Sequence, residues 1–210
     1  MDADAVELRV LGSLLEKQRT TPDHYPLTLN ALRLACNQTT NRDPIVGYEE
    51  REIHDALQRL ARRGWTRVAS GPGSRAAKYR QLFDQELGLG ADATAVLCVL
   101  MLRGPQTPGE LKQRTERLHR FDDLAAVLGT LAALIGRELV ERLERRPGQK
   151  EERYRHLLGG EEPASSPTPA LAGAPPVEPA SSLEERVAGL EAEVERLSAA
   201  VRSLQGEQPG

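Results

Sequence analysis

Two eleven-residue stretches, 75 positions apart, share one pattern. Pro72-Gly73-Ser74-Arg75-Ala76-Ala77-Lys78-Tyr79-Arg80-Gln81-Leu82 and Pro147-Gly148-Gln149-Lys150-Glu151-Glu152-Arg153-Tyr154-Arg155-His156-Leu157 both read P-G-x-[R/K]-x-x-[K/R]-Y-R-x-L. Each follows a helical run that ends at a glycine and a short β-prone segment, so each is expected to be the turn and return strand of a β-hairpin with a basic tip. A repeat of this length confines the chain to folds that contain one supersecondary unit twice.

The residues upstream of each hairpin complete the unit. Val6, Val10, Leu11, Leu14 and Leu15 recur at helical spacing and stop before Thr20-Thr21-Pro22. A second helix starts near Thr28, carries Leu29, Leu32, Leu34 and Cys36, and closes around Asn37. The third, about Glu49 to Arg63, buries Ile53, Ala56, Leu57 and Leu60, with Arg51, Asp55, Arg59 and Arg62 as the opposite stripe, which reads either as a self-paired solvent face or as a face toward phosphate. Gly64 ends it, Trp65 to Ala69 alternates as a half-buried strand, and Lys78 to Leu82 returns. In the second copy a buried helix runs from Ala93 to Leu102, and Thr107-Pro108-Gly109-Glu110 is a capping box that starts the next. Asp122 then caps a helix through Leu124, Val127, Leu128, Leu131, Leu134 and Ile135 to Gly136, followed by a strand from Leu139 to Leu143. The order α-α-α-β-turn-β, present twice, is that of a winged helix. The expected fold is therefore mainly α with small β-hairpins (α+β): a first winged helix-turn-helix domain over residues 1–83 and a second over 84–160.

Residues 161–182 hold six prolines among Ala, Ser and Glu, and cannot bury enough apolar surface to fold, so they read as a disordered linker. Leu183, Val187, Leu190, Val194, Leu197, Val201 and Leu204 then step by four and three without a slip. Valine at every a and leucine at every d is the pattern of a parallel two-stranded coiled coil over 183–205, and hence of a homodimer. An amphipathic helix folded back on its own domains is the alternative.

Charge is distributed unevenly. Residues 1–83 carry 13 Lys/Arg against 10 Asp/Glu, residues 84–160 carry 12 against 12, and residues 161–210 carry 3 against 9. Cys36 and Cys98 lie in separate apolar helices with no CxxC spacing, which reads as buried reduced thiols, without a metal site. The acidic start Met1-Asp2-Ala3-Asp4 is unlike a signal peptide, and the apolar run from Ala95 to Leu102 is too short to span a bilayer. A cytoplasmic protein with no membrane partner is the expectation. His24, His54, His119 and His156 are scattered without paired carboxylates and read as surface or capping residues. No nucleophile arrangement and no phosphate-binding glycine loop occurs, so neither an enzyme nor a cofactor is expected.

The hairpins carry the binding argument. Between Gly71 and Leu82 the cations Arg75, Lys78 and Arg80 meet no acid, and between Arg145 and Leu157 five cations, Arg145, Arg146, Lys150, Arg153 and Arg155, face only Glu151 and Glu152. Such hairpins suit the phosphates of double-stranded DNA. Tyr79 and Tyr154 are read as packing each hairpin onto its domain. The connection from Gln38 to Tyr48 is long for a helix-turn-helix. Either Asn37, Asn41 and Asp43 brace it through backbone hydrogen bonds, or Gln38, Asn41 and Arg42 project from it into a major groove. Acids at the third-helix starts, Glu49-Glu50 and Asp122-Asp123, and a whole-chain pI near 5.9, oppose a nucleic acid.

Several strings also resemble the bacterial YceH family: Leu14-Leu15-Glu16-Lys17-Gln18, Thr20-Thr21-Pro22-Asp23, Tyr25-Pro26-Leu27, Leu29-Asn30-Ala31-Leu32, Ala35-Cys36-Asn37-Gln38 and Asn41-Arg42-Asp43-Pro44. Leu102-Arg103-Gly104-Pro105-Gln106-Thr107, Gly109-Glu110-Leu111, Arg117-Leu118-His119-Arg120-Phe121-Asp122 and Arg146-Pro147-Gly148-Gln149 extend it to about residues 5–158. The resemblance implies a tandem winged-helix fold and supplies no catalytic or binding residues. Family members often place serine ahead of the third helix, where this chain has Gly47-Tyr48. The expected function is a DNA-binding protein of transcription-regulator type; the alternative is a protein-interaction adaptor, such as a chromosome-organisation or polymerase-associated factor.

Overall fold

The structure, a computed structural model, describes residues 2–70, 76–145 and 151–160. The anticipated phosphate contacts Arg75, Arg146 and Lys150, and the anticipated seam Leu183, Val187, Leu190, Val194, Leu197, Val201 and Leu204, lie outside the described residues.

Helix α1, Ala5–Thr20, opens with a reciprocal cap: Glu7 N donates to Asp4 Oδ1 at 2.8 Å and Asp4 N to Glu7 Oε2 at 2.9 Å. These bonds satisfy two of the amides that every helix leaves unpaired at its start. Strand β1, Leu27–Thr28, runs into α2, Leu29–Cys36, whose first turn is capped by Thr28 Oγ1 accepting from Ala31 N at 3.3 Å. Helix α3 spans Glu50–Arg62. In place of a serine cap, Glu49 stands at its start, and its amide donates to Glu52 Oε2 at 2.8 Å.

Strands β2, Thr66–Val68, and β3, Lys78–Gln81, pair antiparallel, and β1 adds to the free edge of β3, giving the order β1-β3-β2. After the single-turn helix α4, Phe83–Glu86, come α5, Ala91–Arg103, α6, Pro108–Arg114, and α7, Leu124–Gly136. Strands β4, Val140–Leu143, and β5, Arg153–His156, close the described chain as an antiparallel pair. The secondary structure is thus α+β, with seven α-helices and two small antiparallel sheets among the described residues.

Part of the element order recurs: three helices and an antiparallel strand pair, α1-α2-α3-β2-β3, are followed after α4 by α5-α6-α7-β4-β5. Thr107 caps α6 as Thr28 caps α2, and the bridge Gln106↔Tyr154 stands where Leu27↔Tyr79 joins β1 to β3. The expected capping box at Thr107 is present, with Glu110 N donating to Thr107 Oγ1 at 3.2 Å and Thr107 N to Glu110 Oε2 at 2.9 Å. At α7 the cap falls one residue later than expected: Asp123 Oδ1, not Asp122, accepts from Ala126 N at 2.8 Å.

Residues 1–162 form one compact unit, and α1 lies along α5 at its centre. Close approach is possible because Gly12 has no side chain. A Cβ there would sit 2.9 Å from Leu102 Cδ2. Trp65 is buried and packs edge-on against Phe83 with ring centroids 5.0 Å apart, which anchors the first hairpin. Cys36 and Cys98 are buried free thiols, and burial pushes the Cys36 thiol up to about 11. His156 departs from the surface role expected of it. It lies half-buried on β5, where burial and then the Arg155 guanidinium push it down to about 4.

Candidate nucleic-acid interface

Side chains alternate across a strand, and residues directly opposite in an antiparallel pair share a face. In the first hairpin the pairs are Thr66↔Gln81, Arg67↔Arg80 and Val68↔Tyr79. Thr66 and Gln81 are buried, so their face turns inward, and Tyr79 on the same face packs against the core. Arg67, Arg80 and Lys78 therefore share the other face, with Thr28 of β1 opposite Lys78. Arg67 and Lys78 are exposed, and among the described residues no acid pairs with Arg67, Lys78 or Arg80. Two arginines directly opposite each other are a destabilising pair in isolation.

The second hairpin uses the same positions differently. Where Arg67 faces Arg80, Glu141 faces Arg155, and the two form an ion pair. Arg153, the counterpart of Lys78, donates to Pro105 O at 2.7 Å and lies 3.3 Å from Glu110 Oε2. The first copy offers no such acid, because Ala31 stands where Glu110 does. Arg142 pairs with Glu152 at 3.4 Å. The cations Arg153 and Arg155, expected to be available to phosphate, are thus met by acids of their own domain, and Arg145 is left exposed at the margin of the described residues.

The third helices diverge in the same sense. On α3 the exposed stripe is Arg51, Asp55, Gln58 and Arg62. Arg59 does not join it as expected: its guanidinium reaches back to α1, 2.7 Å from Asp4 Oδ2 and 3.7 Å from Glu7 Oε2. Arg63, though exposed, also reaches towards α1, 3.6 Å from Glu7 Oε1, and lies over the Trp65 ring at 5.6 Å. Arg51 and Arg62 have no ion-pair partner among the described residues. On α7 the corresponding stripe is Ala125, Gly129, Ala132 and Gly136, and the whole helix carries no charged side chain.

The long loop after α2 is a brace. Asn37 Nδ2 donates to Tyr48 O at 2.8 Å, and Tyr48 N returns a bond to Asn37 Oδ1 at 2.9 Å. Arg9 donates to Cys36 O at 3.2 Å and to Pro44 O at 2.7 Å, while Asp43 N donates to Leu102 O of α5 at 2.8 Å. Arg42, expected on one reading to project into a groove, is instead buried. It donates to both Glu16 carboxylate oxygens, at 3.1 and 2.6 Å, and to Ala35 O at 3.2 and 2.9 Å. Its guanidinium is consumed, so it has no donor to offer a base edge. Gln38 Oε1 accepts from Arg42 at 3.0 Å and from Lys17 at 3.4 Å. Asn41 is exposed in a left-handed conformation, φ 60°, and its Oδ1 accepts from Arg103 of α5. Burial alone would raise the Glu16 carboxyl, but the hydrogen bonds and charge of Arg42 outweigh it and hold the group below its ordinary value.

The family described as "Protein of unknown function, DUF480" matches residues 3–149. A UPF0502 protein of Solibacter usitatus is 48% identical over 198 residues, covering 94% of this chain and 93% of its own length. Another, of Opitutus terrae, is 50% identical over 188 residues, covering 88% and 81%. The UPF0502 protein YceH of Salmonella agona is 44% identical over 207 residues, covering 95% and 94%. The chain belongs to the YceH family.

The YceH-family strings quoted from the sequence include the brace residues. Glu16, Ala35, Asn37, Gln38, Asn41 and Arg42 all fall within them, and all meet in the network around the loop. Two features of this YceH-family chain escaped the sequence. Arg67 was passed over because a single cation on a short strand carries no signal until its cross-strand partner is known. The buried face of α7 is not chosen by the sequence, because a helix apolar on every side gives no phase from which to pick the buried stripe.

Proposed function

We propose that this chain is a DNA-binding protein of transcription-regulator type, built on tandem winged helices, whose first half holds the duplex by its phosphates. The cationic face Arg67, Lys78 and Arg80 carries the reading. It keeps like charges opposed where the second copy has neutralised the same position with Glu141. A bound polyanion relieves that repulsion and gains charge-assisted hydrogen bonds from each group. Acids Glu49 and Glu50 at the start of α3 oppose insertion of that helix end-on. The duplex is therefore read as lying against the hairpin and the C-terminal part of α3, where Gln58 and Arg62 are exposed. Two copies joined through residues 183–205 would present two such faces and bind by avidity. The adaptor reading finds its support in the uncharged outer face of α7.

Fluorescence anisotropy of a labelled random duplex, titrated at several salt concentrations, tests the proposal. Micromolar binding that weakens steeply with salt is expected, abolished when Arg62, Arg67, Lys78 and Arg80 are changed to glutamine and little altered by Arg142→Gln with Arg145→Gln. A folded protein with no affinity at low salt, or equal losses in the two variants, would overturn it.

A further inference from the structure

We propose that Arg103, at the end of α5, and Asn41, in the loop after α2, form a phosphate-binding site separate from the hairpin face. Arg103 Nη2 donates to Asn41 Oδ1, which ties the two segments together. A guanidinium has donors only, so Asn41 must turn its oxygen to Arg103 and leave its Nδ2 amide facing elsewhere. Asn41 is exposed, and among the described residues nothing accepts from its Nδ2. Arg103 makes no second side-chain hydrogen bond among them either. The remaining N–H groups of Arg103 and the Asn41 amide are thus neighbouring donors without acceptors.

Charge around these donors is unbalanced. Glu16 is shared by Arg42, 2.6 Å away, and Lys17, 3.3 Å away. Glu110 is shared by Arg114 at 3.4 Å and Arg153 at 3.3 Å, and also accepts from Thr107 N at 2.9 Å. Each acid serves two cations, and among the described residues no carboxylate lies within 4 Å of Arg103. Both groups connect to Arg103 through hydrogen bonds. Arg42 Nη1 donates to Asn41 O at 2.9 Å, while Arg114 donates to Gln106 Oε1 and Gln106 Nε2 to Arg103 O at 3.1 Å. Asp43, the other acid of the loop, acts on Arg9 and makes no ion pair with Arg103. Burial first, then the charges of Arg114 and Arg42, hold the Arg103 guanidinium below its ordinary value. Arg103 is therefore a half-buried cation that lacks a counter-ion.

The donors select the ligand. A guanidinium fork pairs with two oxygens of a phosphate or a carboxylate. An amide reaching in from a different segment needs a third oxygen, which a phosphate has and a carboxylate does not. Carbonyls at the end of a helix oppose an anion. At the end of α5 they are already bonded: Leu100 O accepts from Gly104 N at 2.9 Å, Leu102 O from Asp43 N at 2.8 Å and Arg103 O from Gln106 Nε2. The phosphate belongs either to a nucleic-acid backbone or to a soluble phosphate compound, and the site's chemistry is the same for both.

Two arms on the full-length chain test the site: calorimetric titration with inorganic pyrophosphate, and duplex anisotropy at several salt concentrations. Each compares the natural chain with Arg103→Gln, Asn41→Gly and, as a control, Arg120→Gln, an exposed cation beside Glu116. Glycine keeps the left-handed backbone of position 41, φ 60°, while removing the amide. Pyrophosphate bound with a Kd below about 1 mM, and weakened at least about tenfold by Arg103→Gln and by Asn41→Gly, gives the site to a soluble phosphate compound. A salt slope of duplex binding that also, or instead, falls by about 0.9 in Arg103→Gln gives it to a nucleic-acid backbone. Arg120→Gln should change neither. Circular dichroism confirms folding, and should Arg103→Gln unfold, Arg103→Lys keeps the charge without the fork and should show the pyrophosphate loss. No dependence on Arg103 in either arm, or an equal loss in Arg120→Gln, would overturn the proposal. The site does not rest on the hairpin reading: Arg103-dependent pyrophosphate binding should persist when Arg62, Arg67, Lys78 and Arg80 are changed to glutamine, so the two readings fail separately.

Discussion

Replacing Arg67 with glutamate transfers to the first hairpin the pair that the second already has, Glu141 opposite Arg155. Arg67 and Arg80 are directly opposite in the ladder, so the substitution turns a like-charge pair into an attractive one. Each term is worth about 0.2–1 kcal/mol, and their sum predicts a gain of about 1 kcal/mol in stability. With an m-value of about 2 kcal/mol per molar urea, the unfolding midpoint should rise by about 0.5 M. Trp65, the only tryptophan, is buried immediately before β2 and reports the transition by fluorescence. The same change should weaken duplex binding, because Arg67 is lost and Arg80 becomes engaged. Losing two phosphate contacts lowers the slope of log K against log salt by about 1.8. A stability gain with unchanged duplex affinity would refute the assignment of this face to DNA, and an unchanged or lower midpoint would refute the electrostatic argument itself.

Arg42→Ala should cost about 3–5 kcal/mol in urea unfolding, because it strands the partly buried Glu16 carboxylate and the Ala35 carbonyl without their donor. Glu16 also sets a pH dependence: its folded-state pKa is depressed, so its contribution is present above the ordinary carboxylate range and is lost as pH falls through and below it, which acid titration of the melting temperature detects. His156, pushed down to about 4, stays neutral in the fold while the unfolded chain takes up a proton, so stability should fall as pH drops from about 6.5 towards 4, and His156→Gln should flatten the profile in that window. Gly12→Ala should destabilise by about 1–3 kcal/mol through its collision with Leu102, lowering the melting temperature by several degrees.

Local grammar was legible without coordinates wherever cause and effect lie within a few residues. Thr107 and Glu110 cap α6 because the partners are three positions apart, and Gly64 ends the α3 region because glycine tolerates φ 76°. The tyrosines of the repeat were correctly read as anchors: Tyr154 is buried and Tyr79 packs against the core. The two-residue strand β1 and the single bridge at Gln106 were not legible, since neither is long enough to establish a period.

Sequence alone determined that one helix-rich unit with a terminal hairpin occurs twice, because periodicity, caps and turn residues act over short separations. Tertiary structure decided which charges are free. Arg42 and Glu16 lie 26 residues apart, Arg153 and Glu110 lie 43 apart, and only the packing of α1, α2, α6 and the hairpins shows that these cations are already paired while Arg67 and Lys78 are not. It decided as well which side of α7 is covered, since a helix of thirteen residues without a charge offers every face to the core and the neighbouring elements can bury only one.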